Sequence, residues 1–137
     1  MKARTVLAVL LTLVFSSFSC EEMERTSQEK DQKVLNDLYL EIKTLAESED
    51  CTNAALWKFT AIGAKACGGP TQYIAYSVNI DTTYFLKLAN TYTVKMKEYN
   101  EKYGMISDCA MVTAPDTVTC ENGKPKLIYN ALKEAVR

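Results

Sequence analysis

The chain has 137 residues, 47% hydrophobic and 24% charged, with a formal net charge of -1. That is one domain's worth of material with enough apolar content for a real core, and the mildly acidic balance offers no basic stripe for nucleic acid. The sequence contains no histidine, which removes Ser-His-Asp and Cys-His nucleophile systems, His-based metal sites and the usual switch near neutral pH.

Residues 1–19 read as an export signal. Lys2 and Arg4 supply a positive start, and Val6 to Phe15 is an apolar run of signal-peptide length, too short to span a bilayer. Small residues, Ser17 and Ser19, precede Cys20. Two processing routes fit: ordinary cleavage after Ser19, or cleavage at the same bond with a diacylglyceryl group on the Cys20 sulfur. The stretch Ser16-Ser17-Phe18-Ser19-Cys20 resembles the lipobox of bacterial envelope lipoproteins, in which small residues precede an obligatory cysteine. It departs from the common form in the bulky Phe18 and in Ser17, which stands where leucine is usual. The resemblance covers this segment alone, and it implies an anchored protein of the bacterial cell envelope.

The cysteine count agrees with a lipidated Cys20. Five cysteines is an odd number for an exported chain. Setting Cys20 aside leaves Cys51, Cys67, Cys109 and Cys120, which can pair completely. They contain no Cys-x-x-Cys zinc knuckle, and disulfides are expected in an exported protein. Three connectivities are possible. Loop-closure entropy favours the local pairs, Cys51–Cys67 and Cys109–Cys120.

Residues 20–28 are expected to comprise the lipidated Cys20 and a polar tether, and 29–137 a single disulfide-bonded domain. Thr26 and Glu29 have capping-box spacing. Leu35, Leu38, Ile42 and Leu45 then recur at helical steps beside Tyr39, which predicts an amphipathic helix ending near Ser48. Glu47, Glu49 and Asp50 read as a solvated acidic turn, because a calcium site needs more oxygen ligands on a tight loop.

Trp57 to Ile62 alternates as a short strand does. Gly63, Gly68, Gly69 and Pro70 punctuate the next stretch, which lacks the Gly-Lys-Ser/Thr ending of a phosphate loop. Tyr73 to Tyr76 resumes an apolar run, read as a strand or a helical turn. Trp57, Tyr73 and Tyr76 are a candidate aromatic binding face, and the bland reading is a core cluster around a disulfide.

Asp81 predicts an N-cap, Ile80 and Phe85 a hydrophobic staple, and Gly104 a C-terminal stop, so a helix is expected over about 81–103. Its stripe is Phe85, Leu88, Tyr92, Met96, Tyr99 and Tyr103. From Ser107 the chain is irregular through Pro115. Asn122-Gly123 then sits between two strand-like runs, a hairpin signal in which Pro125 assigns the second run to an edge. Residues 131–137 read as a short helical turn.

The expected fold is therefore α+β, with two main helices packed on a small antiparallel sheet and two disulfides. No cofactor and no metal is implied. The functional expectation is a non-catalytic binding or structural module of the cell envelope. Its partners are the membrane, through the lipid anchor, and an unidentified protein or glycan. The alternatives are an ordinary secreted domain without lipid, or a small hydrolase using paired carboxylates drawn from Glu47, Glu49, Asp50, Asp81 and Asp108.

Overall fold

The computed structural model describes residues 18–129, with side chains from residue 25 onward. Most of the export segment and the expected C-terminal turn at 131–137 lie outside the described residues, as does the Cys20 side chain. The chain divides into two compact units, Met1–Val34 and Leu35–Arg137. The described part of the first unit is helical. The second unit holds the sheets and the core.

The element order is helix α1 (Phe18–Ala46), strands β1 (Trp57–Ile62) and β2 (Gln72–Ser77), helix α2 (Thr82–Lys102), and strands β3 (Thr117–Glu121) and β4 (Lys124–Ile128). The architecture is α+β, as expected. It differs from expectation in having two two-stranded antiparallel sheets in place of one. It differs also at α1, which begins at Phe18, ahead of the Thr26 capping position. Residues 21–28, expected as a tether, are thus helical. The run from Glu21 to Lys33 is rich in Glu, Gln and Lys, good helix formers that a purely polar segment does not exclude.

Asp81 caps α2, its Oδ1 accepting from the Tyr84 backbone N–H at 2.9 Å. Gly104, at φ 57, follows the last turn in the left-handed geometry that ends helices. Ile80 and Phe85 both reach the core, and Phe85 is fully buried. The core between the helices and the β1–β2 ribbon comprises Leu35, Ile42, Ile62, Tyr76, Phe85, Leu88, Tyr92 and Tyr99 among its buried members. Tyr76 and Phe85 stack with ring centroids 4.8 Å apart, and Tyr39 meets Tyr92 at 5.8 Å. The Tyr84 hydroxyl donates to Glu41 and ties the second half of α1 to α2.

The β1–β2 register pairs Trp57 with Ser77 and Phe59 with Ala75. Side chains alternate across a strand, so Trp57, Phe59, Tyr73 and Ala75 share one face and Ile62 and Tyr76 share the other. A second, smaller core of Cys51, Trp57, Ala75 and Val118 occupies the first of these faces. It is closed by the β3–β4 hairpin, which lies against β1 and β2.

That hairpin turns at Asn122 and Gly123, with φ of 51 and 76. Positive φ at both central residues is the type I′ signature, whose twist matches the flanking strands. Pro125 faces Cys120 one pair beyond the turn. The pair flanking a two-residue turn is hydrogen-bonded and the next one is not, so the missing proline N–H costs the ladder nothing.

The disulfide map corrects the sequence expectation. Cys51 is bonded to Cys120, with Cα atoms 5.2 Å apart, while Cys67 and Cys109 are exposed and unbridged. The Cys51 backbone N–H donates to the Gly123 carbonyl at 2.8 Å, which seats the hairpin beside Cys51. The entropic preference for local pairs is small, about 0.6 kcal/mol for each doubling of loop length. Docking a whole hairpin overrides it.

Candidate functional site

The Gly63–Thr71 loop between β1 and β2 is fixed to α2 by its own backbone. The Gly63 N–H donates to Thr93 Oγ1 at 3.0 Å, the Ala64 N–H to Met96 Sδ at 3.2 Å, and Asn100 Nδ2 to the Ala64 carbonyl at 2.8 Å. Thr93, Met96 and Asn100 lie three and four residues apart, on one helical face. The loop starts with Gly63 at φ 75, where a Cβ would collide with Thr71 Oγ1. Only glycine allows the chain to leave β1 in this direction. The loop then closes on itself, the Lys65 N–H donating to the Gly69 carbonyl and the Gly68 N–H to the Lys65 carbonyl.

Between this loop and α2 lies a cavity of about 530 Å³. Its walls are small residues of the loop, among them Gly68 and Gly69, with Asn100 and Met105 opposite. Lys97 and Glu101 stand on its lining, 3.9 Å from each other.

Lys65 leaves the loop towards the segment beyond α2. Its Nζ donates to Asp108 Oδ1 at 2.8 Å and to the Ala110 carbonyl at 2.7 Å. One ammonium thus holds the residues on either side of Cys109. Cys67, two residues after Lys65, places its sulfur 3.3 Å from Ser107 Oγ and 3.5 Å from the Asp108 carbonyl. The two thiols are near enough for each to act as a hydrogen-bond partner in the other's ionisation. The bond from Cys109, helped by Ser107, holds the Cys67 thiol below its ordinary value, and the Lys65 charge acts in the same direction. The same bond is the main cause holding the Cys109 thiol above its ordinary value. The first proton of the pair is therefore lost more readily than the second.

The candidate aromatic face is not assembled. Trp57 and Tyr76 are buried, on opposite faces of the ribbon, and Tyr73 packs edge-on against Phe59 at 6.1 Å. The carboxylates considered for a hydrolase are dispersed in role: Asp81 caps α2, Asp108 pairs with Lys65, and Glu47 lies 3.9 Å from Lys43. None of the five lines the cavity. Among the described residues, no cluster of three or more Cys, Asp or Glu side chains is placed to hold a metal ion, and no helix is long and apolar enough to cross a membrane.

Lys65, Thr93, Asn100 and Ser107 escaped the sequence reading. They are ordinary polar residues at spacings that form no motif. The one signal was the glycines on both sides of Cys67, which marked a loop of special geometry without saying what it touches. No protein family model, no curated protein and no solved structure matches this chain.

Proposed function

We propose that this chain is an exported, non-catalytic binding module of the bacterial cell envelope, anchored through a diacylglyceryl group on Cys20, and that it takes a protein segment in the groove between the Gly63–Thr71 loop and α2. The Cys51–Cys120 disulfide carries the first part of this reading. Such a bond belongs to an oxidising, extracytoplasmic environment. The apolar run before Cys20 and the lipobox-like serines support the anchor.

The groove supports the second part. Its walls are preformed, being tied by backbone hydrogen bonds to α2. Met105 lines it, and the next residue, Ile106, is 94% exposed. Exposed, adaptable apolar side chains beside a groove suit a protein partner. A glycan is less well served, because Trp57 and Tyr76, two of the three residues of the candidate aromatic binding face, are in the cores. A hydrolase is less well served again, since the named carboxylates cap, pair or stand away from the cavity.

Two measurements test the reading. The native protein should partition into detergent and take up a fatty-acid probe, and Cys20→Ser should abolish labelling with the fold intact. One acyl chain holds a protein only marginally, and two hold it stably. A photo-crosslinker replacing Lys97 should capture a partner from envelope extract that one replacing Lys58 does not. Aqueous partitioning with a free Cys20 thiol defeats the anchor, and equal capture at both positions defeats the groove.

A further inference from the structure

We propose that Cys67 and Cys109 form a second disulfide, solvent-exposed and reversible, made by exchange with external disulfides, in which Cys67 attacks and Cys109 resolves, and broken by external thiols. This chemistry is independent of what the groove binds and of lipid at Cys20.

Three observations carry it. The Cys67 sulfur lies 3.3 Å from Ser107 Oγ and 3.5 Å from the carbonyl of Asp108, the residue before Cys109, and both thiols are exposed. Their two chain segments are held together independently of the sulfurs, by Lys65 bonded to Asp108 and to the Ala110 carbonyl. The segments bearing the pair are thus already docked, which lowers the cost of bringing the sulfurs to the bond length of about 2.05 Å. Finally, the Cys51–Cys120 bond is of the kind found in oxidising surroundings, where neighbouring accessible thiols are open to oxidation.

The roles follow from the surroundings of each sulfur. Ser107 Oγ, 3.3 Å from the Cys67 sulfur, favours negative charge there, Asp108 adjoins Cys109 and disfavours it, and Lys65 favours it at both. The thiolate is the nucleophile in exchange. Cys67 attacks one sulfur of an external disulfide, forming a mixed disulfide and expelling one thiolate. Cys109 then loses its proton and attacks the Cys67 sulfur, expelling the second thiolate. Two cysteine thiols are oxidised to one disulfide. The external disulfide is reduced to two thiols, which take up the two protons released.

The two disulfides of the oxidised protein then differ in access. Cys51 is 3% exposed, under the β3–β4 hairpin, and Cys120 is partly buried, so an external thiolate approaches that bond less readily. The Cys67–Cys109 bond lies at the surface, where exchange is unhindered. It also joins the loop carrying Gly68 and Gly69 to the segment that begins at Met105, both of which line the groove.

The test equilibrates the purified full-length chain in glutathione buffers running from fully oxidised to strongly reduced. Remaining thiols are blocked by alkylation and the linkages are mapped by peptide mass spectrometry. In oxidised glutathione, Cys67 and Cys109 should both lose their alkylation and appear as one linked peptide pair. As the buffer becomes more reducing, that linkage should disappear before Cys51–Cys120 does. In Cys109→Ser, glutathione should accumulate on Cys67. In Cys67→Ser, Cys109 should take up glutathione more slowly. Both variants keep the Cys51–Cys120 bond, and far-ultraviolet circular dichroism confirms that each is folded. The proposal is overturned if Cys67 and Cys109 stay alkylatable in oxidised glutathione, if either links to a different cysteine, or if Cys51–Cys120 is reduced first. Faster glutathione uptake at Cys109 in Cys67→Ser than at Cys67 in Cys109→Ser overturns the assigned roles.

Discussion

The two faces of the β1–β2 ribbon are covered in different ways. The helix face packs Ile62 and Tyr76 against α2 and the second half of α1, with Phe85 and Ile42 fully buried. Among the described residues, the buried hydrophobic members of the other face are Cys51, Trp57, Ala75 and Val118, under a two-stranded hairpin. An isolated hairpin is at best marginally stable in water. Here it is held by one covalent bond, from Cys120 to Cys51, and by the hydrogen bond from Cys51 to Gly123. Where apolar burial is ample the protein uses packing alone, and where it is scant a cross-link supplements it, as small domains commonly do.

The largest expected effect is on the helix face. Phe85→Ala should destabilise by about 3–5 kcal/mol, the range for emptying a large core site, read as a lower midpoint in urea with the slope unchanged. On the hairpin face, replacing both Cys51 and Cys120 by alanine should cost about 2–4 kcal/mol by the same measurement. Amide exchange in β3 and β4 should accelerate more than exchange in α2. If the double variant protects β3 and β4 as well as the native protein does, packing alone holds the hairpin and the contrast between the two faces fails.

Gly63→Ala probes the turn that joins the ribbon to α2. Its φ of 75 and the Thr71 hydroxyl in the way of a Cβ predict a loss of about 1–3 kcal/mol for a side chain held in a disfavoured region, with Thr71→Ala relieving part of it. Asp81→Ala removes the α2 cap and should cost about 1 kcal/mol, smaller than either core change because the helix face remains packed.

The last effect is visible only at alkaline pH. Burial, with a contribution from Tyr39, raises the Tyr92 phenol above its ordinary value of 10. The folded state therefore keeps the proton that the unfolded chain has lost. The stability this confers is fully present below pH 10 and is lost as pH rises through the folded value. A urea midpoint that falls above pH 10 in the native protein, and falls less in Tyr92→Phe, is the expected outcome. Identical profiles would show that Tyr92 is wetter than the helix face implies.

The local elements were legible in the residues alone. Asp81, Ile80, Phe85 and Gly104 bracket α2 within a residue or so of its observed ends, because caps and staples act over a few residues. The alternation in Trp57–Ile62 is β1, and Asn122-Gly123 is the turn of the second hairpin. The start of α1 was not legible, since Glu, Gln and Lys suit helix and solvated coil alike.

Which cysteine meets which, and where the groove lies, depended on docking in three dimensions. The entropy of loop closure ranks pairings weakly, whereas docking the hairpin on Trp57 and Ala75 places Cys120 against Cys51 whatever their separation along the chain. By the same logic Cys67 meets Cys109 because Lys65 reaches Asp108 and Ala110, a contact between distant segments with no periodic trace in the sequence. Local patterns record interactions within a few residues. Pairings across the fold depend on how completed elements dock, and that information is spread over every residue in their interfaces.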